Sequence, residues 1–79
     1  MNIDKQYEKQ ATLILKGEFK RRGLSYQDVC DKLIELKVSI SSDALINRVN
    51  RGTYKFSFFL QILDALDINF NDIAKRINL

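Results

Sequence analysis

At 79 residues, 46% of them apolar, the chain is long enough for one small domain with its own core and too short for two. It has no His and one Cys, Cys30, which excludes a His-based zinc site, a His-dependent triad and an intramolecular disulfide, and fits a reducing, cytoplasmic setting. The net charge of +3, from 13 Lys and Arg against 10 Asp and Glu, is compatible with nucleic acid without singling it out.

Proline is absent and glycine occurs only at 17, 23 and 52, so helix breakers are few. Ala11, Leu15 and Phe19 recur every four residues, with Tyr7 and Ile14 on the same broad face, which predicts a first helix from about Asp4 to Arg22. Gly23 supplies the left-handed residue that ends it, after the basic last turn Lys20-Arg21-Arg22. Gly17 falls inside this helix, where a close helix contact or mere tolerance accounts for it.

Ser25 starts a second helix, because its hydroxyl and the Asp28 carboxylate have the spacing of a capping box. Val29, Cys30, Leu33, Ile34 and Leu36 are its expected inward stripe. The run Lys37 to Ser42 breaks the pattern and reads as a turn, with Ser41 or Ser42 capping a third helix from about Asp43 to Arg51. That helix buries Leu45, Ile46 and Val49, stops at Gly52, and presents Asp43, Ala44, Asn47, Arg48 and Arg51 on its other face. Ser57 is expected to cap a fourth helix with Phe59, Ile62, Leu63 and Leu66 inward. Asn69 or Asn71 caps a short fifth helix through Ile73 and Ile77. The expected fold is all-α, a bundle of about five helices. Tyr7, Phe56, Phe58, Phe59 and Phe70 are read mostly as core, with Phe58 the leading candidate for exposure at a dimer contact.

This order of elements resembles a known one. The stretch Phe19 to Val29 looks like the junction between the first and second helices of lambda-repressor-like helix-turn-helix domains. Ile46 to Gly52 resembles the end of their recognition helix, and Phe59 to Ile73 their last two helices. More narrowly, Leu15 to Gly23, Arg51-Gly52-Thr53 and Phe58 to Gln61 are similar to a short bacterial family named only as a domain of unknown function. The span from Ser25 to Gly52 is longer than in the repressors, which use a tight turn, and Ile34 to Ile40 are expected to lengthen the second helix and the turn.

The resemblance implies a regulator that binds double-stranded DNA as a dimer, with the third helix in the major groove. Carried over by position, Asp43, Ala44, Asn47 and Arg48 face base edges, Ser41 and Ser42 meet phosphate at the helix start, and Arg51, Tyr54 and Lys55 flank the groove. The competing account leaves this polar face as solvated surface and makes the domain a protein-interaction module, with Tyr54, Phe56 and Phe58 in contact. Lys20, Arg21 and Arg22 suit phosphate and the helix dipole equally. No nucleophile–base pair, Gly-rich phosphate loop or cluster of metal ligands is present, so no enzyme, cofactor or metal is expected. No apolar run reaches the roughly 18 residues of a membrane span, and the polar start Met1 to Gln6 has no signal-peptide core.

Overall fold

The computed structural model describes residues 3–76, which fold into five α-helices, with no strand among the described residues. They are α1 (Ile3–Arg21), α2 (Tyr26–Glu35), α3 (Ser42–Arg51), α4 (Phe56–Ala65) and α5 (Phe70–Arg76). No described helix is long and apolar enough to cross a membrane.

The helix ends carry much of the local logic. Gly23 is left-handed at φ 67°, and it donates to the Lys20 carbonyl while Leu24 donates to that of Phe19, at 3.1 and 2.9 Å. This paired closure satisfies two carbonyls that the helix cannot bond itself. The capping box forms as the spacing predicts: the Asp28 amide donates to Ser25 Oγ at 3.0 Å and the Ser25 amide to Asp28 Oδ2 at 2.8 Å. Ser41, rather than Ser42, caps α3 and accepts from the Ala44 amide at 3.1 Å. Two helices end on left-handed residues that are not glycine, Lys37 at φ 66° and Asp67 at φ 56°. In each, the next residue closes the helix, Val38 to the Leu33 carbonyl at 3.0 Å and Ile68 to that of Leu63 at 2.8 Å. Those bonds, with Val38 packed against the core and Ile68 buried, offset the left-handed strain of about 1–2 kcal/mol.

The core joins all five helices through Leu15 and Phe19 of α1, Val29 and Leu33 of α2, Leu45 and Val49 of α3, Ile62 and Leu63 of α4, and Ile73 of α5. α1 packs on α3, and α2 packs on both α3 and α4. Glu18 ties α5 to α1 from a buried position, accepting from Arg76 Nη1 at 2.6 Å and pairing with Arg21 at 3.2 Å.

Several expectations fail for identifiable reasons. Tyr7 lies on the side of α1 away from the core, although its neighbour Glu8 lies against Gly52 at the end of α3, and it is 64% exposed. Ile34 lies off the side of α2 that α3 and α4 cover, and Leu36, past the end of α2, borders an open groove beside Leu60 and Asp64 of α4, so both are exposed. Phe58 is buried, which removes it as an exposed dimer contact; Phe56 and Phe70 are the exposed rings, stacked and edge-on around Phe59. Ser57 does not cap α4; the N-cap is Lys55, two residues earlier, and it makes no side-chain bond. α2 has 10 residues and ends at Glu35, so the stretch expected to lengthen both the second helix and the turn falls mostly in the connection from Leu36 to Ser41. Asn69, not Asn71, starts α5 by accepting from the Asn71 amide at 2.8 Å, and Ile77 lies outside the described residues.

Candidate nucleic-acid interface

The orientation of α3 is set by its C-terminal end, which docks on the backbone of α1. Thr12, a buried hydroxyl on α1, donates to the Val49 carbonyl at 2.6 Å, a second donor beside the Gly52 amide that closes the end of α3 on the same oxygen. Gly52 turns the chain at φ 66°, and a Cβ there would run into the Glu8 carbonyl and the Thr12 hydroxyl. Glycine is therefore required twice at this position, for its dihedral and for its bareness. Two residues on, the Tyr54 hydroxyl donates to the Ala11 carbonyl at 2.8 Å, so both sides of the turn are anchored on one stretch of α1.

With Leu45 and Val49 fully buried, the opposite face of α3 carries Asp43, Ala44, Asn47, Arg48 and Arg51, all exposed. Asp43 occupies the first turn, where the helix dipole favours a carboxylate. Ala44, Asn47, Arg48 and Arg51 form one wall of a shallow groove of about 620 Å³, and the start of α4 forms the other. Arg48 is held by a cation–π contact, its guanidinium carbon 4.7 Å from the centre of the Phe58 ring. Lys55 closes the groove at the N-terminus of α4, where the uncapped amides also favour negative charge. Three cations thus share one concavity with the polar side chains of Asn47, Thr53, Ser57 and Gln61.

The residues expected to touch nucleic acid separate into two groups. Asp43, Ala44, Asn47, Arg48, Arg51 and Lys55 are exposed together on this side. The other hydroxyls are committed within the fold. Ser41 Oγ caps its own helix, and Ser42 Oγ donates to Gln27 Oε1 at 2.7 Å, bracing α3 against α2. Tyr54 lines the groove, but its ring stacks on Phe59 with centroids 6.2 Å apart and its hydroxyl serves Ala11. Burial pushes that phenol up to about 12. Lys20 is exposed at the end of α1, whereas Arg21 and Arg22 turn toward Glu18.

Phe58 as the seat of Arg48, and Thr53, Ser57 and Gln61 as groove lining, were not marked by the sequence pattern. Ser57 and Gln61 stand four apart, one turn of α4, which is the signal available for them.

No curated protein and no solved structure matches the chain. Residues 7–70, well over half of the chain, match the family model DUF6471, described as a domain of unknown function, and the chain belongs to that family.

Proposed function

We propose that this domain binds double-stranded DNA as a lambda-repressor-like helix-turn-helix module, with α2 supporting α3 and α3 entering the major groove. The observation that carries the reading is the exposed α3 face, on which Ala44, Asn47 and Arg48 stand beside Arg51 and Lys55 in one groove. Arg pairs bidentately with guanine, Asn with adenine, and Ala packs on a thymine methyl, so this face has the chemistry of direct readout. Arg51 and Lys55 supply phosphate contacts that set register. The connection from Leu36 to Ser41 is longer than the tight turn of the repressors, but Ser42 to Gln27 and Thr12 to Val49 fix α3 at both of its ends. A single short helix reads few bases, and two copies on a palindrome would multiply specificity, which is why a dimer on DNA belongs to the proposal.

Affinity for duplexes of different sequence, measured across a salt series with two variants, tests it. Arg48→Ala costs about 1–3 kcal/mol on preferred duplexes and little on others, whereas Lys55→Ala weakens all duplexes alike and flattens the salt dependence. Equal losses on every duplex for Arg48→Ala would remove its base-reading role.

A further inference from the structure

The described arginines fall into two groups. Arg21, Arg22 and Arg76 pair with the buried Glu18 carboxylate, to which Arg76 Nη1 donates at 2.6 Å. Arg48 and Arg51 have no carboxylate within ion-pair reach among the described residues. Arg48 alone of the described cations lies over a ring, that of Phe58. A ring engages the face of a guanidinium and leaves the N–H groups at its edge free, whereas a carboxylate takes those N–H groups. Arg48 is thus held without spending the donors that a bidentate base contact needs.

The ring itself is firmly placed. Phe58 stands in the first turn of α4 and belongs to the core that joins all five helices. Its ring lies at 59° to that of Tyr54, with centroids 6.3 Å apart, and the Tyr54 hydroxyl is anchored on the Ala11 carbonyl of α1. Arg51 lines the same groove as Arg48 but has no ring beneath it, which makes it the internal comparison. An exposed arginine has much rotamer freedom to lose on binding, and that cost falls when the side chain is held beforehand.

We propose that Phe58 is a positioning residue for sequence recognition: its π-face restricts the Arg48 guanidinium, and through Arg48 it sets how sharply the domain distinguishes one duplex from another. This role rests on the reading of α3 as the base-reading helix. The ring is buried and contacts no DNA, so its effect passes wholly through Arg48. Sequence-blind attraction comes from Arg51 and Lys55 and does not depend on the ring.

The test uses the full chain prepared with one, two or three fluorines on the Phe58 ring. Fluorine draws electron density from the ring face and weakens the cation–π attraction stepwise, while nearly keeping the shape of the ring. Affinities are measured for the preferred duplex and for a scrambled one, with circular dichroism and Tm as checks on folding. Discrimination is expected to fall in step with fluorination, by about three- to tenfold at three fluorines, with affinity for the scrambled duplex unchanged. In an Arg48→Ala background the same fluorines should change nothing. In the free chain, NMR relaxation should show the Arg48 Nε–H more ordered than that of Arg51, and fluorination should remove the difference. Undiminished discrimination at three fluorines, an equal loss in the Arg48→Ala background, or an Arg48 side chain as mobile as that of Arg51 would each overturn the proposal. A rise in discrimination on fluorination would make the ring a competitor for Arg48 and overturn it too. Failure of the α3 reading is a separate result: an unmodified chain that prefers no duplex overturns that reading, and the Phe58 role with it, before any fluorine is introduced.

Discussion

Arg48 rests its guanidinium 4.7 Å from the centre of the Phe58 ring, and that ring is only 5% exposed. An exposed cation on α3 is thereby seated on a core residue of α4, which couples the groove wall to the interior. Phe58→Leu keeps an apolar group of similar size but loses the π-face, and should cost about 1–1.5 kcal/mol in urea unfolding. Arg48→Ala, which removes only the half-exposed contact, should cost less than about 1 kcal/mol. A folded Arg48→Ala protein then separates recognition from stability.

Gly52 and Gly23 share nearly the same dihedral, φ 66° and 67°, but not the same surroundings. A Cβ at 23 meets nothing within 4 Å, whereas one at 52 meets the Glu8 backbone. Gly23→Ala should therefore cost the left-handed strain alone, about 1–2 kcal/mol. Gly52→Ala should cost clearly more and loosen the seating of α3 on α1. Chemical denaturation of the two variants side by side checks the difference; equal losses would mean that the α1 contact carries no weight.

Glu18 is 1% exposed and is shared by Arg21, Arg22 and Arg76. Removing its charge weakens the Arg76 contact that helps buried Ile73 hold α5 in place. Glu18→Gln should lower stability by about 1–3 kcal/mol, and Arg76→Ala by less, because the arginine is itself partly solvated. Hydrogen exchange should show α5 opening first in both variants.

The capping box makes acid sensitivity predictable in sign. Bonding to the Ser25 amide, then to its hydroxyl, holds the Asp28 carboxyl below its usual range, so the charged form is favoured in the folded state. A carboxyl lowered by folding contributes stability above its unfolded value near 3.8, and loses that contribution as pH falls through the folded value. Asp28→Asn should therefore lower Tm at neutral pH and flatten the fall in Tm on the acid side. Ser25→Ala should cost about 1 kcal/mol, because it strips the hydroxyl from the same box.

Much of the fold was legible because it was written in local chemistry. Ser25 with Asp28, Ser41 ahead of α3, and Gly23 and Gly52 behind α1 and α3 each declare a helix boundary without tertiary help. The ends at Lys37 and Asp67 were opaque, since nothing about Lys or Asp announces a left-handed residue; the long-range burial of Val38 and Ile68 imposes it. The aromatic cluster misled for a related reason. Adjacent Phe58 and Phe59 point 100° apart on a helix, and only the placement of α2 and α3 decides that both are covered while Phe56 is not. In the candidate interface, the exposed face of α3 followed from periodicity. The withdrawal of Ser42 and Tyr54 into Gln27 and Ala11 did not, because those partners are distant in sequence.

On the proposed reading, α3 reads base sequence. Selection of genomic DNA fragments by the purified chain at physiological salt, run beside Arg48→Ala, tests it most directly. Enrichment of one motif that is lost in the variant, in paired half-sites about one helical turn apart, is the predicted result. Weak binding blind to sequence, vanishing as salt rises and unchanged by Arg48→Ala, would contradict it.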